Sequence, residues 1–181
     1  VVVATGARPI LPDIPGINLP HVVQAWEVLS GQVDTVSPVV IIGGGAVGCE
    51  TALLLARIGT ISPETLYILF ENQAETPETL YPLITGGIQE ITIMEMMAKI
   101  GRDIGASTRW SILQDIHRRG IRSQLSSKAV EITPESVVFE KEGQTNSLPA
   151  RTVVLAIGVE PVKDLYVEFK GRVEEMYLIG D

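Results

Sequence analysis

The fold is decided by residues 39–48, Val39-Val40-Ile41-Ile42-Gly43-Gly44-Gly45-Ala46-Val47-Gly48. Four consecutive β-branched residues read as a strand covered on both faces, the pattern of a parallel strand inside an α/β sheet. The strand runs straight into Gly43-x-Gly45-x-x-Gly48, and residues 46–57 continue as a mostly apolar helix that Gly59 ends. Glycines between strand and helix have a physical meaning. Gly43 permits the tight turn, Gly45 lets the backbone approach a pyrophosphate, and Gly48 lets the helix pack closely on the strand. The free N–H groups of the first helical turn and the helix dipole then face the anion. Gly44, Ala46 and Val47 therefore join the three glycines as candidate cofactor-binding residues.

Working outward, Val1 to Ala4 reads as a strand that stops at Thr5-Gly6. Pro9, Pro12 and Pro15 then make residues 7–37 read as a connector, within which His21 to Leu29 forms a short helical turn. Residues 60–87 read as an insertion, with prolines and glycines around two helix-like pieces at 66–72 and 77–83. A strand follows at Glu90–Glu95, then a helix over 107–119 stopped by Gly120, and a short strand at 121–125. An antiparallel meander spans 129–148, a buried strand 152–157, and a last strand 176–179. The sequence reads as free of internal repeats. The expected fold class is α/β, a Rossmann-like dinucleotide-binding domain in which a parallel sheet carries helices and a small antiparallel meander, a three-layer ββα arrangement.

Composition narrows the function. A chain of 181 residues holds one complete domain plus partial flanking structure. With 14 Lys and Arg against 22 Asp and Glu, the net charge of −8 opposes the attraction to phosphate backbones that nucleic-acid binding draws on, so no nucleic acid is expected as a partner. Cys49 is the only cysteine. It excludes an internal disulfide and a Cys-built zinc or iron–sulfur site, no metal site is expected, and a reducing cytoplasm is its simplest home. No apolar run reaches the ~20 residues of a membrane span. The chain opens on Val1 without an initiator Met and reads as a piece of something longer.

In this type of site an acidic residue at the end of the second strand takes the adenosine ribose hydroxyls, usually ~20 residues past the turn. Glu71, after Tyr67-Ile68-Leu69-Phe70, is one candidate. Glu95, after Ile91-Thr92-Ile93-Met94, is preferred, with the insertion accounting for the extra length. Such a carboxylate favours NAD(H), although Lys99 and Arg102 nearby suit a 2′-phosphate. His21 and His117 read as surface or linker residues, and Trp26 and Trp110 as packing anchors.

Four ordered motifs now carry a resemblance. Val3-Ala4-Thr5-Gly6-Ala7-Arg8-Pro9, Gly43 to Glu50, Leu155-Ala156-Ile157-Gly158-Val159-Glu160-Pro161 and Tyr177-Leu178-Ile179-Gly180-Asp181 occur in the order seen in the pyridine nucleotide–disulfide oxidoreductase superfamily. More narrowly, Met94 to Gly105 with the preceding insertion resembles the C-terminal region of 2-enoate and 2,4-dienoyl-CoA reductases. In those proteins a barrel resembling Old Yellow Enzyme, with FMN and an iron–sulfur cluster, lies upstream. The resemblance implies NADH:flavin oxidoreductase chemistry, in which hydride passes from NADH to FAD for reduction of an enoate or enoyl-type substrate in that barrel. It implies residues 1–37 as FAD-domain remnant and linker, 38–158 as the NAD(H)-binding domain, and 159–181 as the return to the FAD domain, so the flavin site is incomplete here. Thr5, Gly6, Ala156, Ile157 and Gly158 match the two junctions between domains, with Ile157 where Thr is common. Gly180 and Asp181 match an FAD-binding motif, and Glu50 matches a glutamate near the nicotinamide–flavin contact. The redox-active disulfide of many relatives has no counterpart. A homo-oligomeric parent is compatible with this reading. The competing reading is a noncatalytic nucleotide-binding or sensing module. A methyltransferase also begins from a glycine-rich turn, but it leaves the paired junctions and the Gly-Asp ending unexplained.

Overall fold

A strand with no polar side needs cover on both faces, and Val39–Ile42 has it. The computed structural model describes residues 1–180. In chain order its elements are β1 (Val2–Val3), β2 (Ala7–Pro9), β3 (Val22–Gln24), α1 (Ala25–Leu29), β4 (Val39–Ile42), α2 (Ala46–Leu55), α3 (Pro63–Glu71), α4 (Pro77–Thr85) and β5 (Ile91–Met94). They continue with α5 (Ala106–Arg118), β6 (Arg122–Gln124), β7 (Lys128–Ile132), β8 (Ser136–Lys141), β9 (Gln144–Pro149), β10 (Thr152–Leu155), β11 (Val159–Pro161), α6 (Asp164–Phe169) and β12 (Tyr177–Leu178). Five strands form one parallel sheet in the order β3-β10-β4-β5-β6, with β4 at its centre.

Side chains alternate across this sheet, as strand geometry requires. Val39 and Ile41 face a core built with Cys49, Ala52 and Leu55 of α2 and Ile116 of α5. Val40 and Ile42 face the other way, onto Ile132, Val137 and Phe139 of the meander β7-β8-β9. Helices on one face and an antiparallel sheet on the other make the three layers, in agreement with the expected fold class. Ile41 and Ile93 are completely buried. Truncating either to Ala removes packing worth about 2–5 kcal/mol.

Residues 25–29 form the short helix expected within the connector, whereas residues 22–24 depart from that reading. Val22–Gln24 is the edge strand of the central sheet, pairing with Val153–Leu155, and the short helix α1 follows it. Three residues are too few for periodicity to reveal a strand. Two further pairings also escaped the sequence: β1 runs parallel to β12, and β2 runs antiparallel to β11. The tryptophans are not packing anchors, since Trp26 and Trp110 are both exposed.

The insertion folds as two helices, and they correct the expectation of no repeat. Ser62-Pro63-Glu64-Thr65-Leu66-Tyr67 and Thr76-Pro77-Glu78-Thr79-Leu80-Tyr81 are nearly the same segment. Each starts with a hydroxyl cap, Ser62 accepting from the Thr65 N–H and Thr76 from the Thr79 N–H, followed by proline at the first helical position. Glu64 and Glu78 both lie below the usual carboxylate range, each held there by its own backbone N–H and then by the cap hydroxyl. The copies differ in burial. Leu80 is buried, whereas α3 buries nothing and exposes Tyr67, Ile68 and Phe70. Tyr67–Phe70 is therefore helical, and the rival second strand before Glu71 does not exist.

Gly48 is where helix and strand come closest. A Cβ there would lie 2.0 Å from the Gly43 carbonyl oxygen, a backbone atom fixed by the turn. Gly48→Val is expected to destabilise the fold by at least about 2 kcal/mol, the upper range for overpacking, which thermal or urea unfolding measures.

Candidate functional site

The turn after β4 opens into a cavity of about 620 Å³ at the C-terminal ends of the parallel strands, where ligands bind in open α/β sheets. Its wall combines the turn (Gly43, Gly45, Val47), the end of β5 (Met94, Glu95, Met96) and the end of β10 (Ala156, Ile157, Gly158). Asp103, the connector at Pro12–Ile14 and the start of β7 at Ser127–Val130 complete it. The register of β7 against β8 shifts between Ala129 and Glu131, so a bulge turns this strand at the cavity rim.

Gly43 adopts φ +107°, and a Cβ on it would meet the Ala156 carbonyl oxygen at 2.3 Å. Its N–H donates to Met94 O at 2.9 Å and the Ala156 N–H donates to Ile42 O at 2.8 Å, which ties three strand ends together beneath the cavity. Gly45 caps α2 in extended conformation and has no side chain to occupy the first-turn N–H groups. A Cβ on Gly45 would crowd the Asp103 carboxylate, 2.8 Å from Oδ2. A helix N-terminus with no cap from its own side chain, over a glycine cradle, fits a pyrophosphate.

Two carboxylates reach this turn. Glu95 accepts from the Gly44 N–H at 2.7 Å through Oε2 and from the Met97 N–H at 2.8 Å through Oε1. Its backbone is fixed on both sides, N–H to Gln124 O at 2.9 Å and C=O to the Ser127 N–H at 3.0 Å. Asp103 accepts from the Ala46 N–H at 2.9 and 3.1 Å. Sequence reasoning did not single out Asp103; the signal was an aspartate in the glycine-flanked loop that follows the second strand. Lys99 and Arg102 do not line the cavity, whereas Lys128 does.

Of the expected site residues, the structure brings Gly43, Gly45, Val47, Glu95, Ala156, Ile157 and Gly158 to one cavity. Gly44 and Ala46 stand behind them through the bonds just given, and Gly48 serves the packing of α2. Glu50 is exposed on α2 and does not line the cavity. Thr5 and Gly6 lie at the other junction, where the Thr5 hydroxyl donates to Val162 O and the Val162 N–H donates to Gly6 O at 2.9 Å. The two junctions are joined by the β2–β11 ribbon and by the Ile10 N–H to Gly158 O bond of 3.1 Å. Gly180 follows β12 away from the cavity. Asp181 lies outside the described residues.

Among the described residues no helix is long and apolar enough to cross a membrane.

A glycine-cradled helix N-terminus at the end of a central parallel strand, with a carboxylate on the neighbouring strand, defines a dinucleotide-binding domain. The chain belongs to the pyridine nucleotide-disulphide oxidoreductase family, whose model matches residues 1–176. It is 47% identical over 181 residues to a metal reductase of Desulforamulus reducens, covering all of this chain and 27% of that protein. It is 29% identical over 184 residues to a cinnamate reductase of Clostridium sporogenes, covering all of this chain and 23% of that one. Among solved structures, 2-naphthoyl-CoA reductase superposes with a TM-score of 0.75 at 24% identity over 99% of this chain and 23% of that one. The chain thus spans about a quarter of the length of these relatives.

Cys49 lies under the turn, fully buried, with its thiol 3.6 Å from Gly44 O. Burial, and then the negative charge of Asp103, push the thiol up to about 11. A raised folded value means that the native state holds this proton where the unfolded chain releases it. The associated stability is present below about pH 9 and is lost as pH climbs to about 11, a loss on the order of 2–3 kcal/mol. Denaturation between pH 8 and 11 should show this slope in the wild type and a shallower one in Cys49→Ala.

Proposed function

We propose that this chain is the NADH-binding part of a flavin-dependent oxidoreductase, and that it serves reduction of an enoate or enoyl-type substrate elsewhere in the polypeptide. The observation that carries the nucleotide half is Glu95, held on the Gly44 N–H at the edge of the glycine cradle. When bound, the nicotinamide supplies hydride and FAD accepts it. The protein's own residues supply position. The first-turn N–H groups of α2 bind the pyrophosphate, Glu95 accepts both adenosine ribose hydroxyls, and Ala156-Ile157-Gly158 direct the nicotinamide end toward the ribbon that joins the junctions. Thr5, Gly6, Gly180 and Asp181 belong to the flavin side, and Glu50 to the contact between the two rings. Residues 38–158 form the nucleotide domain in this reading, with the segments on either side belonging to the flavin domain.

The enoate half rests on the cinnamate reductase relative and on the resemblance of residues 94–105 to enoate reductases. FMN and an iron–sulfur cluster belong to the barrel expected upstream. The metal reductase relative supports a second electron acceptor, a metal ion as substrate, served by the same NADH site. Side-by-side turnover of cinnamate-type acids and a ferric chelate by the full-length protein separates the two.

Cofactor choice tests the site. A carboxylate at the ribose end repels a 2′-phosphate and hydrogen-bonds two hydroxyls, together worth ~1–3 kcal/mol, or one to two orders of magnitude in affinity. The full-length protein should bind NADH more tightly than NADPH by that factor. Glu95→Ser should narrow the ratio and also lower stability by about 1–2 kcal/mol through the two N–H groups it leaves without a partner. Glu71→Ser, on exposed α3, should change neither. A shift with Glu71→Ser and none with Glu95→Ser in calorimetric titrations would place the ribose elsewhere.

A further inference from the structure

We infer that Asp103 is a built-in competitor for the pyrophosphate: its carboxylate holds the N-terminus of α2 in the empty protein and must leave for the dinucleotide to bind. The inference rests on the nucleotide site proposed above and adds a residue that sets its affinity.

Three observations carry it. The Asp103 carboxylate accepts from the Ala46 N–H through both oxygens, the position a phosphate oxygen takes when a helix of this kind binds an anion. The same carboxylate forms part of the wall of the cavity and stands directly against Gly45, where a Cβ would already meet its Oδ2 at 2.8 Å. Finally, the loop that carries it is pinned. Ile100 and Ile104 are buried in the helix-side core, the Gly101 N–H donates to Gly44 O at 2.6 Å, and Arg109 donates to the carbonyls of Arg102 and Ile104. The loop backbone is therefore held, and only rotation of the exposed aspartate side chain clears the helix.

Two anions cannot share one helix N-terminus, so the aspartate lowers affinity twice, by competing for the Ala46 N–H and by repelling the phosphates once displaced. It also keeps the first turn of α2 satisfied between turnovers. The outcome is a site that stays folded when empty and releases its nucleotide readily.

The test compares wild type, Asp103→Asn and Asp103→Ala in the full-length protein by calorimetric titration with NADH and with ADP-ribose, which shares the pyrophosphate but lacks the nicotinamide. Asn keeps the acceptor for Ala46 and removes the charge; Ala removes both. Both variants should bind both ligands about two- to fivefold more tightly, the size of an exposed anion's interaction with a helix N-terminus, most of it as slower dissociation. A residue with a merely structural role would give the opposite sign, because loosening the loop weakens binding. Unchanged or weaker affinity in Asp103→Asn, while the wild type binds NADH and Gly45→Val does not, overturns the inference and leaves the nucleotide site standing. Absence of NADH and ADP-ribose binding in wild type and variants alike overturns both.

Discussion

The structure depends on one close approach: the first turn of α2 passes so near the end of β4 that no atom fits between Gly48 and the carbonyl of Gly43. This contact places the helix axis over the end of the strand, and the rest of the site is a consequence. With α2 held there, its first-turn N–H groups point into the space beyond the sheet, and the neighbouring strands β5 and β10 end at the same level. Three parallel strands that stop together, with one helix starting above them, make a hollow whose floor is backbone and toward which the positive end of the α2 dipole points. Side chains enter from loops, and the chemistry of those loops sets what the hollow accepts.

Charge balance in that hollow follows from burial. The turn offers several N–H donors at one place, and a protein cannot leave them without partners at little cost. The chain answers with two carboxylates on the loop after β5 and none on the turn itself. Glu95 is bonded through its own backbone as well as its side chain, whereas Asp103 sits exposed on a loop that its neighbours hold, and its side chain is bonded to the Ala46 N–H. The thiol beneath them stays protonated because it is enclosed and because a negative charge lies overhead. The family's disulfide chemistry therefore has no foothold at Cys49. The cysteine acts as a small apolar residue that lets α2 lie flat on the sheet.

Much of this was legible in the chain. The run 39–42 declared a doubly covered strand because no polar residue interrupts it, and the glycine spacing located the turn because each glycine answers a different steric demand. Glu95 could be chosen over Glu71 only by preferring Ile91–Met94 as a strand to Tyr67–Phe70, two apolar runs of equal length. What separates them is their surroundings: Pro63 and Ser62 begin a helix, while Ile91 follows a glycine-bounded loop. Val22–Gln24 stayed hidden because an edge strand of three residues carries no period. Asp103 stayed hidden because its partner is a backbone N–H 57 positions away, a relation that composition and spacing do not encode.

The paired helices α3 and α4 lie between the end of α2 and the start of β5, whereas the cavity opens at the strands' C-terminal ends. Each is a self-contained unit of 14 residues with its own hydroxyl, proline and glutamate at the start, so one unit can be gained or lost whole without disturbing the cap of the other. Because α4 alone is anchored, through Leu80 and the Ile61 N–H to Leu83 O bond of 3.1 Å, its twin is spare length. Doubling a surface loop costs only about 0.6 kcal/mol in closure entropy. No residue of this doubled segment lines the cavity, so added length here leaves the cavity wall unchanged.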